Sequence, residues 1–354
     1  MITRSSTIRG LGLGLSVLVA CAAAPVASRA DSVADFYRGR TVTIIVGYSA
    51  GGGYDLYARA IARHMGEHIP GEPKIIVSNM PGAGSVAAAN YIYGVAPKDG
   101  TVFGTFSRGI PMEPLIGTAN TRYEATKFTW IGSASNEVSV CALSPKSPVK
   151  TFDDALKTPF TVAGEASGSD PDTYAKLFQN LFGAKLKLVT GYPGGNDMTL
   201  AVERGEVDGR CGWSWGSIKA TRPEWTTGPQ KLNILLQLGI ERSPDLPDVP
   251  SASEKAADQR QREIVKLIVS RQIMARPFAA PPSIPEERKE ALRKAFDATM
   301  KDPEFLKEAK TMALEINPVS GADLDRLIAE LYATPKEVVE QARAVIAGET
   351  GPAK

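Results

Sequence analysis

Short apolar runs alternate with amphipathic stretches along most of the chain. Runs of strand length fall at 41–47, 74–78, 101–106, 129–134, 138–143, 160–163, 186–190, 207–211, 232–238 and 268–275. Between them, helical spacing marks 54–68, 84–94, 151–157, 171–182 and 196–204. In the 54–68 segment Leu56, Ala60, Ile61 and Met65 share one face, which predicts an amphipathic helix packed on a sheet. This alternation predicts an α/β fold with mostly parallel sheets. From Pro285 to about Ala347 the pattern is helical throughout. Asp302-Pro303 and Asn317-Pro318 divide it into three predicted helices.

The N-terminus follows a different pattern. Arg4 and Arg9 precede an apolar stretch at 11–24, and Ser28-Arg29-Ala30 offers a small-residue cleavage site before Asp31. Residues 1–30 are thus predicted to be an export signal, its apolar part too short at ~14 residues for a permanent span. Leu18-Val19-Ala20-Cys21 also fits a lipoprotein box, which would leave Cys21 lipidated. No later stretch has the length of a membrane span, so a soluble periplasmic protein is expected. Cleavage removes three arginines and no acids, taking the formal charge from +2 to −1. A near-neutral chain without a basic tract gives no ground for nucleic-acid binding. The remaining length exceeds one core, and two domains are expected: 31–137 plus 271–354, and 138–270. Cys141 and Cys211 are the cysteines left after cleavage. In an oxidising compartment they would pair, or else stay as two buried thiols, since sequence does not supply their separation.

The candidate chemistry lies in glycine-rich loops between strands and helices. Gly51, Gly52 and Gly53 separate the first strand from the helix carrying Tyr54 and Asp55, and Gly82-Ala83-Gly84-Ser85 follows the second strand. Bare backbone at a helix start exposes unpaired N–H groups at the positive end of the helix dipole, a natural anion pocket. Ser167-Gly168-Ser169-Asp170 and Tyr192-Pro193-Gly194-Gly195-Asn196 repeat the device in the second predicted domain. Two domains presenting strand carboxyl ends to each other make a cleft.

Two enzyme motifs compete. Gly47-Tyr48-Ser49-Ala50-Gly51 matches the G-x-S-x-G nucleophile elbow of a secreted serine hydrolase with Ser49 as nucleophile. The histidine such a triad needs is missing, because His64 and His68 sit on the helix that follows. Gly82 to Ala87 matches a G-x-G-x-x-A dinucleotide loop, and Arg108 after the next strand would suit the 2′-phosphate of NADP. An export signal speaks against such an oxidoreductase. His64 and His68 have metal-ligand spacing without an evident third ligand, so neither metal nor cofactor is expected. Trp213 and Trp215 alternate at a strand end, as a stacking wall or as core.

Across the whole predicted mature chain the sequence resembles the periplasmic solute-binding proteins of tripartite tricarboxylate transporters, the Bug family. Tyr48, Gly51, Gly52, Gly53 and Asp55 match its aromatic-x-x-Gly-Gly-Gly-x-Asp pattern, and Asn79-Met80-Pro81-Gly82-Ala83-Gly84 matches its N-x-P-G-A-G loop. Pro97-Lys98-Asp99-Gly100, Gly168-Ser169 and the string Arg242-Ser243-Pro244-Asp245-Leu246-Pro247-Asp248-Val249-Pro250 follow the family as well. The resemblance implies a type II-like two-lobed binding protein that closes over a small organic carboxylate without chemistry. It also implies a monomer that hands its solute to a membrane permease. The implied contacts are Tyr48, Ser49, Gly51–Gly53, Tyr54, Asp55, Gly82–Ser85 and Arg108 in the first lobe. In the second they are Ser167–Asp170, Tyr192, Gly194, Gly195, Asn196, Asp208 and Trp213. Asp55 is expected to act at its helix N-terminus, or through water or an amino group, rather than directly on a carboxylate. Ser85 and Val86 replace the family's Gly-Asn, Asp172 replaces a histidine, and the loop at 190–194 lacks a lysine, so ligand identity does not carry over. Arg108 is the expected partner of a second carboxylate.

Overall fold

The computed structural model describes residues 28–117 and 120–349, with side chains from Val33 onward. Most of the predicted signal, Cys21 included, lies outside the described residues; these begin with the helix Ser28–Tyr37.

Among the described residues, eleven strands form two sheets. They are β1 (Thr41–Val46), β2 (Lys74–Asn79), β3 (Val102–Thr105), β4 (Thr129–Ser133), β5 (Ser139–Leu143), β6 (Phe160–Ala163), β7 (Leu186–Val189), β8 (Gly209–Ser214), β9 (Asn233–Leu238), β10 (Pro277–Ala280) and β11 (Val319–Ser320). The first sheet has the order β11-β4-β10-β3-β1-β2, the second β7-β6-β8-β5-β9. Helices flank both, giving the two-lobed α/β architecture expected. The sheets are mixed rather than mostly parallel. Only β1–β2, β1–β3, β6–β7 and β6–β8 pair in parallel, while β10 and β5 return antiparallel into their sheets.

Two other expectations are corrected. The run at 268–275 is not a strand but the buried end of the helix Gln259–Val269 and a 3₁₀ turn, Ser270–Met274. A short apolar run has no period to separate buried helix from buried strand, and the strand lies just beyond it, at β10. The C-terminal region holds four helices, Glu286–Thr299, Pro303–Thr311, Gly321–Tyr332 and Lys336–Ala347, because the chain also breaks before Pro335. The last of these packs on helices Asp170–Phe182 and Gln259–Val269 beside the second sheet. There Asn180 Nδ2 donates to the Val345 carbonyl over 2.6 Å. The expected division placed this stretch in the first lobe.

Where the chain crosses between sheets, two segments run side by side. Ala134 N donates to Arg276 O (3.1 Å), Glu137 N to Gln272 O (3.2 Å) and Ala275 N to Ser135 O (2.9 Å). One apolar core runs through both lobes, from Ile45, Phe106 and Trp130 to Leu143, Phe178 and Val345. Cys141 and Cys211 are joined by a disulfide between β5 and β8.

Candidate functional site

The loops after β1, β6, β7 and β8 meet between the lobes. They enclose a cavity of about 50 Å³ lined by Tyr48, Gly51–Tyr54, Arg108, Glu165, Asp170, Gly195, Asn196, Thr199, Arg210, Trp213, Ser217 and Arg276, among others. Three helices of sixteen, thirteen and ten residues begin at this cavity: Gly53–His68, Asp170–Phe182 and Gly195–Arg204. Their positive ends converge on it, which favours a negative group inside.

Three arginines line the cavity, and two are already neutralised. Arg108 Nη1 lies 3.0 Å from Glu137 Oε1, and its Nε lies 2.8 Å from Asp170 Oδ2. Arg276 Nη1 is 2.6 Å from the same Glu137 oxygen, and its Nη2 donates to Ser214 Oγ (3.0 Å) and Ser217 Oγ (2.8 Å). Although burial opposes the charge, Asp170, Tyr54 and Glu137 hold the Arg108 guanidinium firmly protonated. Arg210 is different. Among the described residues no carboxylate lies within 4.0 Å of it; its sole hydrogen bond is a long one, 3.5 Å from Nη1 to Gly195 O, and Nε has no partner. Burial pulls its pKa below that of a free guanidinium, partly offset by the charge of Glu165. Glu165 is 6% exposed with Oε2 unpartnered. Burial pushes its carboxyl up to about 8, with Arg210 pulling it down and Asp172 and Asp170 pushing it further up.

A second cavity of about 230 Å³ adjoins the first and shares Tyr48 and Glu165 with it. Its other walls are Pro81–Ser85 and Gly191–Pro193. The backbone of its roof is unusual: Gly82, Ala83, Gly84 and Ser85 all have positive φ. A Cβ on Gly84 would come 2.8 Å from Ser167 O, so glycine there permits the lobes to touch. Ser85, where the family pattern has glycine, is held by a hydrogen bond from Ser107 N to its Oγ (3.1 Å) and packs on the bare Gly47.

The predicted site residues therefore separate into groups. Tyr48, Gly51, Gly52, Gly53, Tyr54, Arg108, Asp170, Gly195, Asn196 and Trp213 line the first cavity; Gly82, Ala83, Gly84, Ser85 and Tyr192 line the second. Ser49, Gly194, Ser167, Gly168 and Ser169 line neither. The first four join the lobes instead: Ser49 N reaches Pro193 O (3.4 Å), Ser107 Oγ donates to Gly168 O (3.2 Å) and Ser167 Oγ donates to Glu113 Oε1 (2.8 Å). A Cβ on Gly194 would strike Ser49, and Ser169 Oγ sits on Ala166 O and Asp172 Oδ2. Asp55 is turned away from both cavities. It accepts from Gly51 N, Arg59 Nε and Asn79 Nδ2, each at 2.9 Å, and so braces the first loop at its helix N-terminus. Asp208 lies at the opposite end of β8, where its carboxylate takes Thr161 N (2.7 Å) and Oγ1 (2.8 Å); the strand starts later than its apolar run. Trp213 is core that touches the cavity, stacked edge-on against Trp225 at 5.4 Å. Trp215 opens a helix and bonds Asp245, so the two tryptophans do not form one wall. Arg108, expected to take a second carboxylate, has its charge taken by Glu137 and Asp170.

Sequence reasoning missed Arg210, Glu165 and Arg276 as lining residues, although Arg210 and Glu165 stood in segments it had marked. For Glu165 the signal available was a charged residue just past the carboxyl end of a strand; Arg210 at the start of β8 and Arg276 just before β10 carried no such signal.

Neither enzyme motif finds its machinery. Ser49 Oγ is hydrogen-bonded to Asp197 Oδ2 (2.5 Å), while His64 and His68 face Glu308 and Asp302 on another helix. The Gly82–Ala87 loop is packed on the opposite lobe's backbone rather than open to a pyrophosphate. Among the described residues no cluster of metal-ligating side chains occurs, and no helix is long and apolar enough to cross a membrane.

Two α/β lobes closed over a polar cavity define a solute-binding protein. The sequence model of the tripartite tricarboxylate transporter family receptor matches residues 57–343, and the chain belongs to this family. It is 24% identical over 322 residues to a protein of Cupriavidus necator known as the UPF0065 protein in the gbd 5′ region, covering 88% of this chain and 90% of that one. Its fold is similar to the periplasmic binding protein BugD, with a TM-score of 0.68, 20% identity and coverage of 86% and 98%. It is equally similar to MatC from Rhodopseudomonas palustris with bound malate, at 0.68, 21%, 85% and 99%.

Proposed function

We propose that this protein is an exported receptor that captures a small organic carboxylate between its lobes and delivers it to the membrane subunits of a tripartite transporter, without catalysing a reaction. Arg210 carries the reading. It is the cavity-lining cation left without a carboxylate partner, and it stands where three helix N-termini converge. Malate in MatC supports the same class of ligand. In this reading residues 1–30 direct export, segments 134–138 and 270–276 form the hinge, and the protein acts as a monomer. A ligand touching both lobes binds the closed form better than the open one, and that difference drives closure. The permease would recognise the closed form.

The test is a thermal-shift and calorimetric screen of the protein purified from the periplasm against mono-, di- and tricarboxylates, amino acids and NADPH. At a hundred times its dissociation constant a ligand raises stability by ~2.7 kcal/mol, a readable shift. Carboxylate binding that disappears in Arg210→Ala supports the reading. A flat carboxylate panel, or binding untouched by Arg210→Ala, overturns it.

A further inference from the structure

The two adjoining cavities differ in charge. The first holds one cation without a carboxylate partner, Arg210. The second is lined by Pro81, Ala83, Tyr192, Pro193 and neighbouring backbone, with no lysine, arginine or histidine. Its one acid is Glu165, nine-tenths buried, which faces both cavities with an unpartnered oxygen. An ionised carboxylate placed in the second cavity would lose water, meet only backbone N–H groups of the 82–85 loop with no cation, and lie against the acid Glu165. A hydroxyl, carbonyl or aromatic end would lose little, and Glu165 Oε2 is in place to hydrogen-bond it.

We propose that the cleft selects a monocarboxylate: the carboxylate pairs with Arg210 in the first cavity, and an uncharged polar or aromatic end occupies the second, against Glu165. One cation, one carboxylate is the rule of this site. The inference rests on the carboxylate-receptor reading and narrows it, because a dicarboxylate such as the malate bound by MatC brings one charge more than this cleft neutralises.

Matched probes test it. Affinities for 4-hydroxybutyrate against succinate, and for 6-hydroxyhexanoate and 4-hydroxybenzoate against adipate and terephthalate, are measured by calorimetry on the purified protein. Each monoanion is expected to bind at least about tenfold tighter than its dianion, the order of effect of one uncompensated buried charge. A cation added to the second cavity should move the ratio at least about tenfold towards the dianion. Glu165→Lys supplies one from inside, and Tyr192→Arg supplies one from a half-exposed position at the edge of the second lobe's core, where the arginine stem can take the place of the ring. Dianions binding as tightly as monoanions in the wild type, or a ratio unmoved by Tyr192→Arg, overturns the inference. If such dianion binding is still lost in Arg210→Ala, the receptor reading survives and the selectivity alone falls. If no carboxylate binds, both fall.

Discussion

Ser49 in the first lobe and Asp197 in the second are joined by one hydrogen bond, 2.5 Å from Oγ to Oδ2. The residue that sequence offers as a nucleophile is thereby a clasp. Ser49→Ala removes the clasp from the closed state and nothing from the open one. The expected effect is a loss of ~1 kcal/mol, about a fivefold weaker affinity, with thermal stability of each lobe retained. Titration calorimetry with the best carboxylate of the screen checks the affinity. A fluorophosphonate probe should leave Ser49 unlabelled; labelling would restore the hydrolase.

Arg108 and Arg210 should separate cleanly. Arg108→Ala takes one of two arginine partners from each of the buried acids Glu137 and Asp170, leaving only Arg276 on the first and the more distant Arg271 on the second, an expected destabilisation of ~3 kcal/mol seen as a lower Tm. Arg210→Ala leaves no carboxylate stranded within ion-pair distance, so it should keep its Tm and lose affinity by about a hundredfold, the scale of a buried charge-assisted pair. A selective loss of dicarboxylate binding in a stable Arg108→Ala protein would return the role to Arg108.

The Cys141–Cys211 disulfide closes a loop of 70 residues across the middle of the second sheet. Its removal by Cys141→Ser with Cys211→Ser is expected to cost ~2–4 kcal/mol. Denaturant unfolding, with and without reductant, reads this directly. Reductant should lower the wild-type midpoint and leave that of the double variant unchanged.

Glu165 makes binding sensitive to pH. Its carboxyl sits at about 8 in the folded protein against an ordinary 4.5, raised by burial, lowered by Arg210 and raised by Asp172 and Asp170; Tyr48 and Ser169 also face it. Because the folded value is the higher one, the stability it contributes is complete below about 4.5 and is lost as pH rises through about 8. Above 8 the ionised group competes for Arg210 and repels the ligand. Affinity should fall between pH 7 and 9 in the wild type and stay level in Glu165→Gln, as calorimetry at three pH values would show.

Much of the fold was legible because burial writes a period into the chain. β1 to β9 each overlap an apolar run, and the helices from 54 to 204 were visible in their amphipathic spacing or glycine-rich starts, except the single turn Glu113–Ile116, too short to show a period. What failed to show was pairing direction. β10 and β5 are apolar like their parallel neighbours, and nothing in a buried strand's sequence states which way its neighbour runs. The loops that meet at the cleft were legible too, since glycines and helix starts advertise exposed N–H groups. Their division of labour was not. Whether Ser49 or Arg210 meets the cavity depends on which carboxylate lies within 4 Å, and residues 108, 137, 170 and 276 come together only through the hinge.

The helix Lys336–Ala347 ends the chain of described helices yet packs mainly on two helices beside the second sheet, with Arg343 Nε donating to Leu115 O (3.1 Å), while Gly321–Tyr332 before it rests on β4 of the first. The lobes are therefore tied by three passages of chain, at 134–138, 270–276 and 333–335. If, as proposed, the two adjacent passages act as a hinge, a third tie would limit its twist and angle. On that proposal the last helix would be a stop on the door, and trimming it should change how wide the protein opens to its solute.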